Sequence, residues 1–305
     1  MFLKLHEPDN EISYLLNVDG RCELTKDDRT RLFAYQLGYE GEDYFYRLLN
    51  EVEGGLKLWD ITLKESSKAQ FDFLVIGDGT VYHFDVKNYS GNYTYIDGLF
   101  KKDNGSVDQT IMTQLKRADL ILSQLLIRKG FGYQHVSRIV FVNDKFNLKN
   151  FNGDNCIKFA SQIPSIINYL KQLGPPTDED YRLARALIEA NVLDDRRFVY
   201  YDYKRMRKGY RCPNCKRYEM VEIVGRMKYV SCKCGRKLSK LDYIVECARQ
   251  VWKLKNTSFQ VKEISEWSKC EIKTVQRALM GSCKYSGKNK GRKYWFDKVI
   301  PEKQV

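Results

Sequence analysis

FDFLVIGDGTVYHFDVK, residues 71–87, is the stretch on which the fold turns. Two β-rich runs flank Asp78-Gly79, and an Asp-Gly pair in that setting is the strongest short-range hairpin signal, because both central residues of a type I′ turn take positive φ. With these two as the loop, Gly77 pairs with Thr80, Ile76 with Val81, Leu74 with His83, Asp72 with Asp85 and Gln70 with Lys87. Alternation then places Gln70, Asp72, Asp85 and Lys87 on one face and Phe71, Phe73, Tyr82, Phe84 and Val86 on the other, the core face. Opposed β-carbons lie about 4.5–5.5 Å apart. Two carboxylates at that spacing repel unless a cation intervenes, and a divalent metal with hard oxygen ligands is such a cation. The alternative is a solvated edge on which Lys87 forms a diagonal salt bridge. His83 shares the polar face but reads as a satisfied residue opposite Leu74, outside the site; His6 and His135 carry no pattern.

Outward from the hairpin, residues 26–52 have helical periodicity, with Gly38 and Gly41 as points where the helix splits and Glu42 opening its second half. A strand follows at 56–63 and a polar linker at 65–69. Past the hairpin come a strand segment at 92–100, an amphipathic helix at 111–128, a short buried strand at 137–142 and a helix at 159–173. This order, α, β, β, β, α, β, α, suits an α/β fold with a mixed sheet flanked by helices. Gly174-Pro175-Pro176 marks a boundary. Thr177 with Asp180 three residues on then forms a capping box for a helix over 178–191.

At 305 residues the chain is expected to hold two or three domains. We divide it as 1–173, a helical linker over 174–209, a cysteine module over 210–240 and a basic helical domain over 241–305. The net charge of +13 is unevenly spread: residues 201–305 hold 27 Lys and Arg against 10 Asp and Glu, a net of +17, leaving 25 against 29, or −4, for the rest. Such asymmetry points to a polyanionic partner, most often nucleic acid. No apolar run is long enough for a membrane span, and MFLKLHEPDN breaks into charge too early for a signal peptide, so a cytoplasmic protein is the default. The oligomeric state is not legible, and a dimer stays open.

Of nine cysteines, four cluster as Cys212-Pro-Asn-Cys215 and Cys232-Lys-Cys234-Gly235. In a reducing compartment this reads as a closed structural Zn²⁺ ribbon, although the second pair has one intervening residue instead of two. Beyond it, LDYIVECARQVWKLK, VKEISEWSKC and EIKTVQRALM resemble a helix-turn-helix, with Lys273, Thr274, Gln276 and Arg277 on the candidate recognition helix. The tail, KYSGKNKGRKYWFDKV, carries Lys290, Arg292 and Lys293 about a wing-like turn. A small helical bundle with a solvated basic face is the alternative.

The acidic face gains neighbours in Glu42, on the helix before the sheet, and Gln114, on the helix after it. Asp72 followed by Asp85-Val86-Lys87, with an upstream helical glutamate, is the pattern of the PD-(D/E)xK nuclease superfamily. Its logic is that carboxylates hold Mg²⁺ or Mn²⁺, the metal polarises a phosphodiester and acidifies a water, and the lysine positions or deprotonates that water. Gly41-Glu42, Gln70-Phe71-Asp72, the glycine turn, Phe84-Asp85-Val86-Lys87-Asn88-Tyr89-Ser90-Gly91 and Gln114-Leu115-Lys116-Arg117 resemble, in order and spacing, the nuclease-related domain (NERD) family over residues 36–172. The whole layout is similar to NERD-domain proteins of Bacillus and its relatives. The resemblance implies a restriction-endonuclease-like fold, with Glu42, Asp72 and Asp85 as metal ligands, Lys87 assisting the attacking water, and Gln70 and Gln114 orienting. Asp85 stands where the family more often has glutamate, and the family's asparagine-proline is absent at Thr110-Ile111. The expected activity is a metal-dependent DNA endonuclease or nickase. A DNA-binding regulator that no longer cuts is the alternative, and RNA a further candidate substrate.

Overall fold

The computed structural model describes residues 1–192, 198–218, 228–288 and 291–297. In chain order the elements are β1 (Phe2–Lys4), α1 (Asn10–Val18), α2 (Lys26–Asn50), β2 (Leu56–Lys64), β3 (Lys68–Gly77), β4 (Thr80–Lys87), β5 (Gly91–Ile96), β6 (Leu99–Lys102), β7 (Val107–Asp108), α3 (Ile111–Lys129), β8 (Gln134–Phe141), β9 (Phe146–Lys149), β10 (Ile157–Phe159), α4 (Ile163–Leu170) and α5 (Asp178–Glu189). They are followed by β11 (Tyr229–Ser231), β12 (Lys237–Ser239), α6 (Lys240–Lys255), α7 (Val261–Ser268), α8 (Ile272–Met280), β13 (Lys284–Ser286) and β14 (Lys293–Trp295). Two compact units divide the chain: Met1–Asn10 with Thr30–Arg196, and Glu11–Arg29 with Arg197–Val305.

In the first unit Asp78 and Gly79 take φ of 49° and 70°, so the two-residue loop forms. The register is the expected one from Gly77↔Thr80 to Phe73↔Phe84. β3 and β4 lie inside a six-stranded mixed sheet ordered β1-β2-β3-β4-β8-β10, in which β4, β8 and β10 run parallel. The acids are therefore not on a sheet edge. Leu74, Ile76 and Val81 bury one face against Ala118, Ile121, Leu122 and Leu125 of α3 and Leu183, Ala184 and Leu187 of α5. Phe73, Val75, Tyr82, Phe84 and Val86 bury the other against Phe45 and Leu49 of α2 and Ile163, Ile167 and Leu170 of α4. Both faces are thus core, and the polar stripe is confined to one end of the hairpin. Fully burying each such side chain contributes about 1.5–3 kcal/mol.

Three expectations change here. α2 is one helix, not two: a Cβ at Gly41 would lie 2.7 Å from the Asn88 Cβ and 3.1 Å from the Val142 Cγ2, so this glycine serves close approach to the sheet. Glu42 is accordingly a mid-helix residue. The 92–100 segment is a second hairpin, β5–β6, turning at Asp97 (φ 49°) and Gly98 (φ 82°), within a separate sheet ordered β7-β6-β5-β9. The stretch read as a linker contributes α5, capped by Thr177 and Asp180, to the sheet's core.

In the second unit α6, α7 and α8 bury Ile244, Cys247, Val251, Ile264, Trp267, Val275 and Leu279, and β13 pairs with β14 as an antiparallel hairpin. Phe259, between α6 and α7, exchanges two backbone hydrogen bonds with Tyr294 of β14 (2.9 and 2.8 Å), tying the hairpin to the helices. Among the described residues no helix is long and apolar enough to cross a membrane.

Candidate functional site

The ladder between β3 and β4 stops at Phe73↔Phe84, while β4 continues beside β8 through Val86↔Val140 and Lys87↔Phe141. The strands splay at this point. Asp72 therefore does not pair with Asp85, nor Gln70 with Lys87: the Asp72 Oδ2 instead accepts a hydrogen bond from the Val86 backbone N–H (2.7 Å). Phe71 also departs from expectation. It lies in the α3 cluster, its ring edge-on to His83 at 4.8 Å, on the opposite face from Phe73.

The splay opens a cavity of about 180 Å³ lined by Lys68, Ala69, Gln70, Asp72, His83, Asp85, Lys87, Gln114, Arg117 and Ala118. Five of the six expected catalytic residues converge on it. The sixth, Glu42, is not among its lining residues; its Oε2 accepts from the Trp59 indole N–H (2.8 Å).

Electrostatics bind these groups together. Burial raises the Asp72 carboxyl well above its ordinary value, and the charges of Glu42 and Asp85 add to the rise. Burial also raises Glu42, against the pull of Trp59 and His6. Lys87 Nζ donates to the Asp85 Oδ1 at 2.5 Å. Although burial opposes its charge, Asp85 and Asp72 outweigh that and raise the lysine above its ordinary value. The two neighbouring carboxylates thus favour the ammonium form of Lys87. One carboxylate crowded by two others is a setting that a divalent cation would relieve, and carboxylate oxygens suit Mg²⁺ or Mn²⁺. Yet among the described residues only the four cysteines place three or more donor atoms within 4.8 Å of one another. Glu42, Asp72 and Asp85 form no such cluster.

Lys68, Ala69, His83, Arg117 and Ala118 also line the cavity, and of these Arg117 and His83 bear on its chemistry. Arg117 lies one helical turn beyond Gln114, exposed at the mouth. A cation three residues after the glutamine was the available signal, since i and i+3 share a helix face. His83 is 1% exposed; its Nδ1 lies 3.0 Å from the Ser137 Oγ, and Ser137 donates to Asp119. A hydroxyl has one proton to give, so the His83 Nδ1 carries the hydrogen in that bond and Nε2 is the bare nitrogen, without a partner. Burial lowers this imidazole to about 4. Strand alternation had put it on the polar face with Asp85, and the structure brings it into the cavity lining.

α3 begins at Ile111 without the family's asparagine-proline. Asp108 serves instead, its Oδ1 accepting from the Thr110 N–H (2.9 Å) and hydroxyl (2.7 Å), its Oδ2 from the Tyr89 hydroxyl (2.7 Å).

In the second unit the Cys212 and Cys234 Sγ atoms lie 3.8 Å apart and those of Cys215 and Cys232 3.5 Å apart, with all four within 4.8 Å. A tetrahedron of thiolates at about 2.3 Å from Zn²⁺ has edges near 3.8 Å, so the cluster fits that ion. Tight turns present each pair: the Lys216 N–H returns to the Cys212 carbonyl (2.9 Å) and the Gly235 N–H to the Cys232 carbonyl (2.9 Å). The backbone N–H of Arg236 is the chief influence holding the Cys234 thiol down to about 6. On α8, Lys273, Gln276 and Arg277 are exposed, Thr274 is half-buried, and Val275, Ala278 and Leu279 face the core. Lys293 is exposed, whereas Arg292 lies 4.8 Å over the Tyr285 ring; Lys290 lies outside the described residues.

The family model of the nuclease-related domain, NERD, matches residues 37–143. This stretch is similar to the nuclease-related domain. The match spans α2 from Leu37 through β8 and so takes in Glu42, the cavity and the helix carrying Gln114. No curated protein and no solved structure matches the chain.

Proposed function

We propose that the protein is a metal-dependent nuclease that hydrolyses phosphodiester bonds in DNA. The observation carrying this reading is the convergence of Asp72, Asp85, Lys87, Gln70 and Gln114 on one small polar cavity inside the nuclease-related domain. Asp72 and Asp85 would hold Mg²⁺ or Mn²⁺, with Glu42 acting behind Asp72, and a cation there supplies Lewis acidity toward the phosphodiester. Lys87, kept as an ammonium, offsets phosphate charge and orients the attacking water. Gln70 and Gln114 offer amide donors, and Arg117 grips a neighbouring phosphate. Zn²⁺ on Cys212, Cys215, Cys232 and Cys234 would staple the ribbon. The basic helices and hairpin that follow, read as a helix-turn-helix with a wing, would dock duplex DNA through phosphates, with Lys273, Thr274, Gln276 and Arg277 toward the groove.

The test is plasmid cleavage with Mn²⁺ or Mg²⁺. Wild type should nick or linearise, Lys87→Ala should lose about a hundredfold or more, and Arg117→Ala should weaken substrate binding more than turnover. Undiminished cleavage by Lys87→Ala defeats the reading. Two observations favour the second reading, a DNA-binding protein that does not cut: Lys87 already occupies Asp85, and the three acids are not gathered into a ready cluster. That version predicts salt-sensitive DNA binding which survives Asp72→Asn, with no metal-dependent turnover.

A further inference from the structure

Asp60 lies within β2 at a φ of 66°, in the left-handed region that a strand residue avoids. Its side chain is held from two directions. The His6 Nδ1 lies 3.0 Å from its Oδ2, and the Gln70 Nε2 donates to its Oδ1 at 2.9 Å. Lys4 Nζ donates to the backbone carbonyls of Trp59 (3.1 Å) and of Asp60 itself. His6 is fixed in turn, its Nε2 2.9 Å from the Tyr35 hydroxyl and its ring packed beside Tyr39 and Trp59. Burial pushes the Asp60 carboxyl up, but the hydrogen bond from His6 and the charges of Lys4 and His6 outweigh it and leave it below its ordinary value.

The strands register this conformation. β2 and β3 pair from Leu56↔Ile76 to Trp59↔Phe73 and again from Ile61↔Phe71, omitting Asp60 and Asp72. Trp59 and Phe73 join the α2 cluster, whereas Ile61 and Phe71, two residues along each strand, join the α3 cluster. Side chains two apart on an unbroken strand share a face, so each strand turns over at its aspartate. This paired kink frees Asp72 from the ladder and delivers its carboxylate to the Val86 N–H at the cavity.

We propose that Asp60 is a positioning residue for the cavity: clamped at positive φ by His6, Lys4 and Gln70, it creates the kink that turns Asp72 inward, and its carboxylate orients Gln70. Only the consequence for metal and substrate rests on the nuclease reading; the kink itself does not.

Three variants test this. Asp60→Gly accepts the backbone conformation but has no carboxylate, Asp60→Asn accepts it and keeps an acceptor for Gln70, and His6→Phe removes one clamp while keeping an aromatic ring. Amide hydrogen exchange at Val86 reports the docking of Asp72, and isothermal titration with Mn²⁺ reports the cavity. Loss of one hydrogen bond predicts exchange at Val86 about tenfold faster in Asp60→Gly, with weaker Mn²⁺ binding. Val75 and Tyr82 should keep their protection. Asp60→Asn should restore both readouts, and His6→Phe should move Val86 in the same direction by less, which carries the test if the glycine variant does not fold. Val86 protection and Mn²⁺ affinity unchanged in Asp60→Gly and His6→Phe would overturn the proposal. A wild type that neither binds Mn²⁺ nor cuts DNA would sink the nuclease reading, and exchange at Val86 would still decide the role of Asp60.

Discussion

The acidic cavity of the first unit and the cysteine cluster of the second gather anionic donors in opposite ways. Around the cavity, both faces of a six-stranded sheet are filled by side chains, and the acids sit where two interior strands part. The fold there is complete before any ion arrives, and repulsion among Asp72, Asp85 and Glu42 is tolerated because the core holds them. The cysteines are presented by two turns and a pair of three-residue strands, β11 and β12. An ion held there would itself tie these short elements together. A site whose scaffold is finished can leave its ligands loosely gathered, whereas one that depends on the ion must bring all four within reach.

The largest predicted effect strains this contrast hardest. Structural zinc contributes about 10–16 kcal/mol of apparent binding free energy that is also folding free energy. Stripping the metal with a chelator, or Cys212→Ser, should leave the β11 and β12 amides nearly unprotected in hydrogen exchange. Leu74 and Val81 should stay protected. Retained protection in β11–β12 after verified metal loss would erase the distinction.

Asp72→Asn probes the other side. It removes a charge crowded by two acids while leaving an oxygen for the Val86 N–H, so the metal-free protein should be as stable as wild type or up to about 1–2 kcal/mol more stable in urea denaturation. Mn²⁺ affinity should fall. Clear destabilisation would show that the acid is structural and not a ligand tolerated by a finished core.

The smallest effect concerns pH. Burial raises the Asp108 carboxyl, but hydrogen bonds from Tyr89 and Thr110 overcome this and hold it below its ordinary value. A folded pKa below the unfolded one means that its contribution to the start of α3 is complete above about pH 4–5 and is lost as pH falls through the folded value. Denaturation followed across acid pH should show wild type losing its advantage over Asp108→Asn; a pH-independent difference would refute it.

Much of the first unit was legible because its signals are local. Asp78-Gly79 set the register, 3.6-residue periodicity marked α3, and Thr177 with Asp180 announced α5. The same turn chemistry at Asp97-Gly98 was available but lay between short strands of a small separate sheet, where alternation is too brief to count. Gly41 read as a break because a glycine's cost within a helix is visible in sequence, whereas the close approach to Asn88 that calls for it is not. The kink at Asp60 was hidden for a related reason. WDI and FDF look like unbroken alternation, and two of the side chains that hold the reversal, His6 and Lys4, come from a distant segment without a pattern. The cysteine spacing was legible outright, since tetrahedral thiolate chemistry constrains the letters themselves.

The close approach at Gly41 has one more consequence. Helix α2 rests on Asn88 and Val142 at a separation that any methyl group would widen, and the next residue along is Glu42. The distance at which that acid is felt by Asp72 is thus calibrated by an atom the chain lacks: lengthening position 41 would act on the cavity like a shim under a hinge, retuning its charge without altering a single ionisable group.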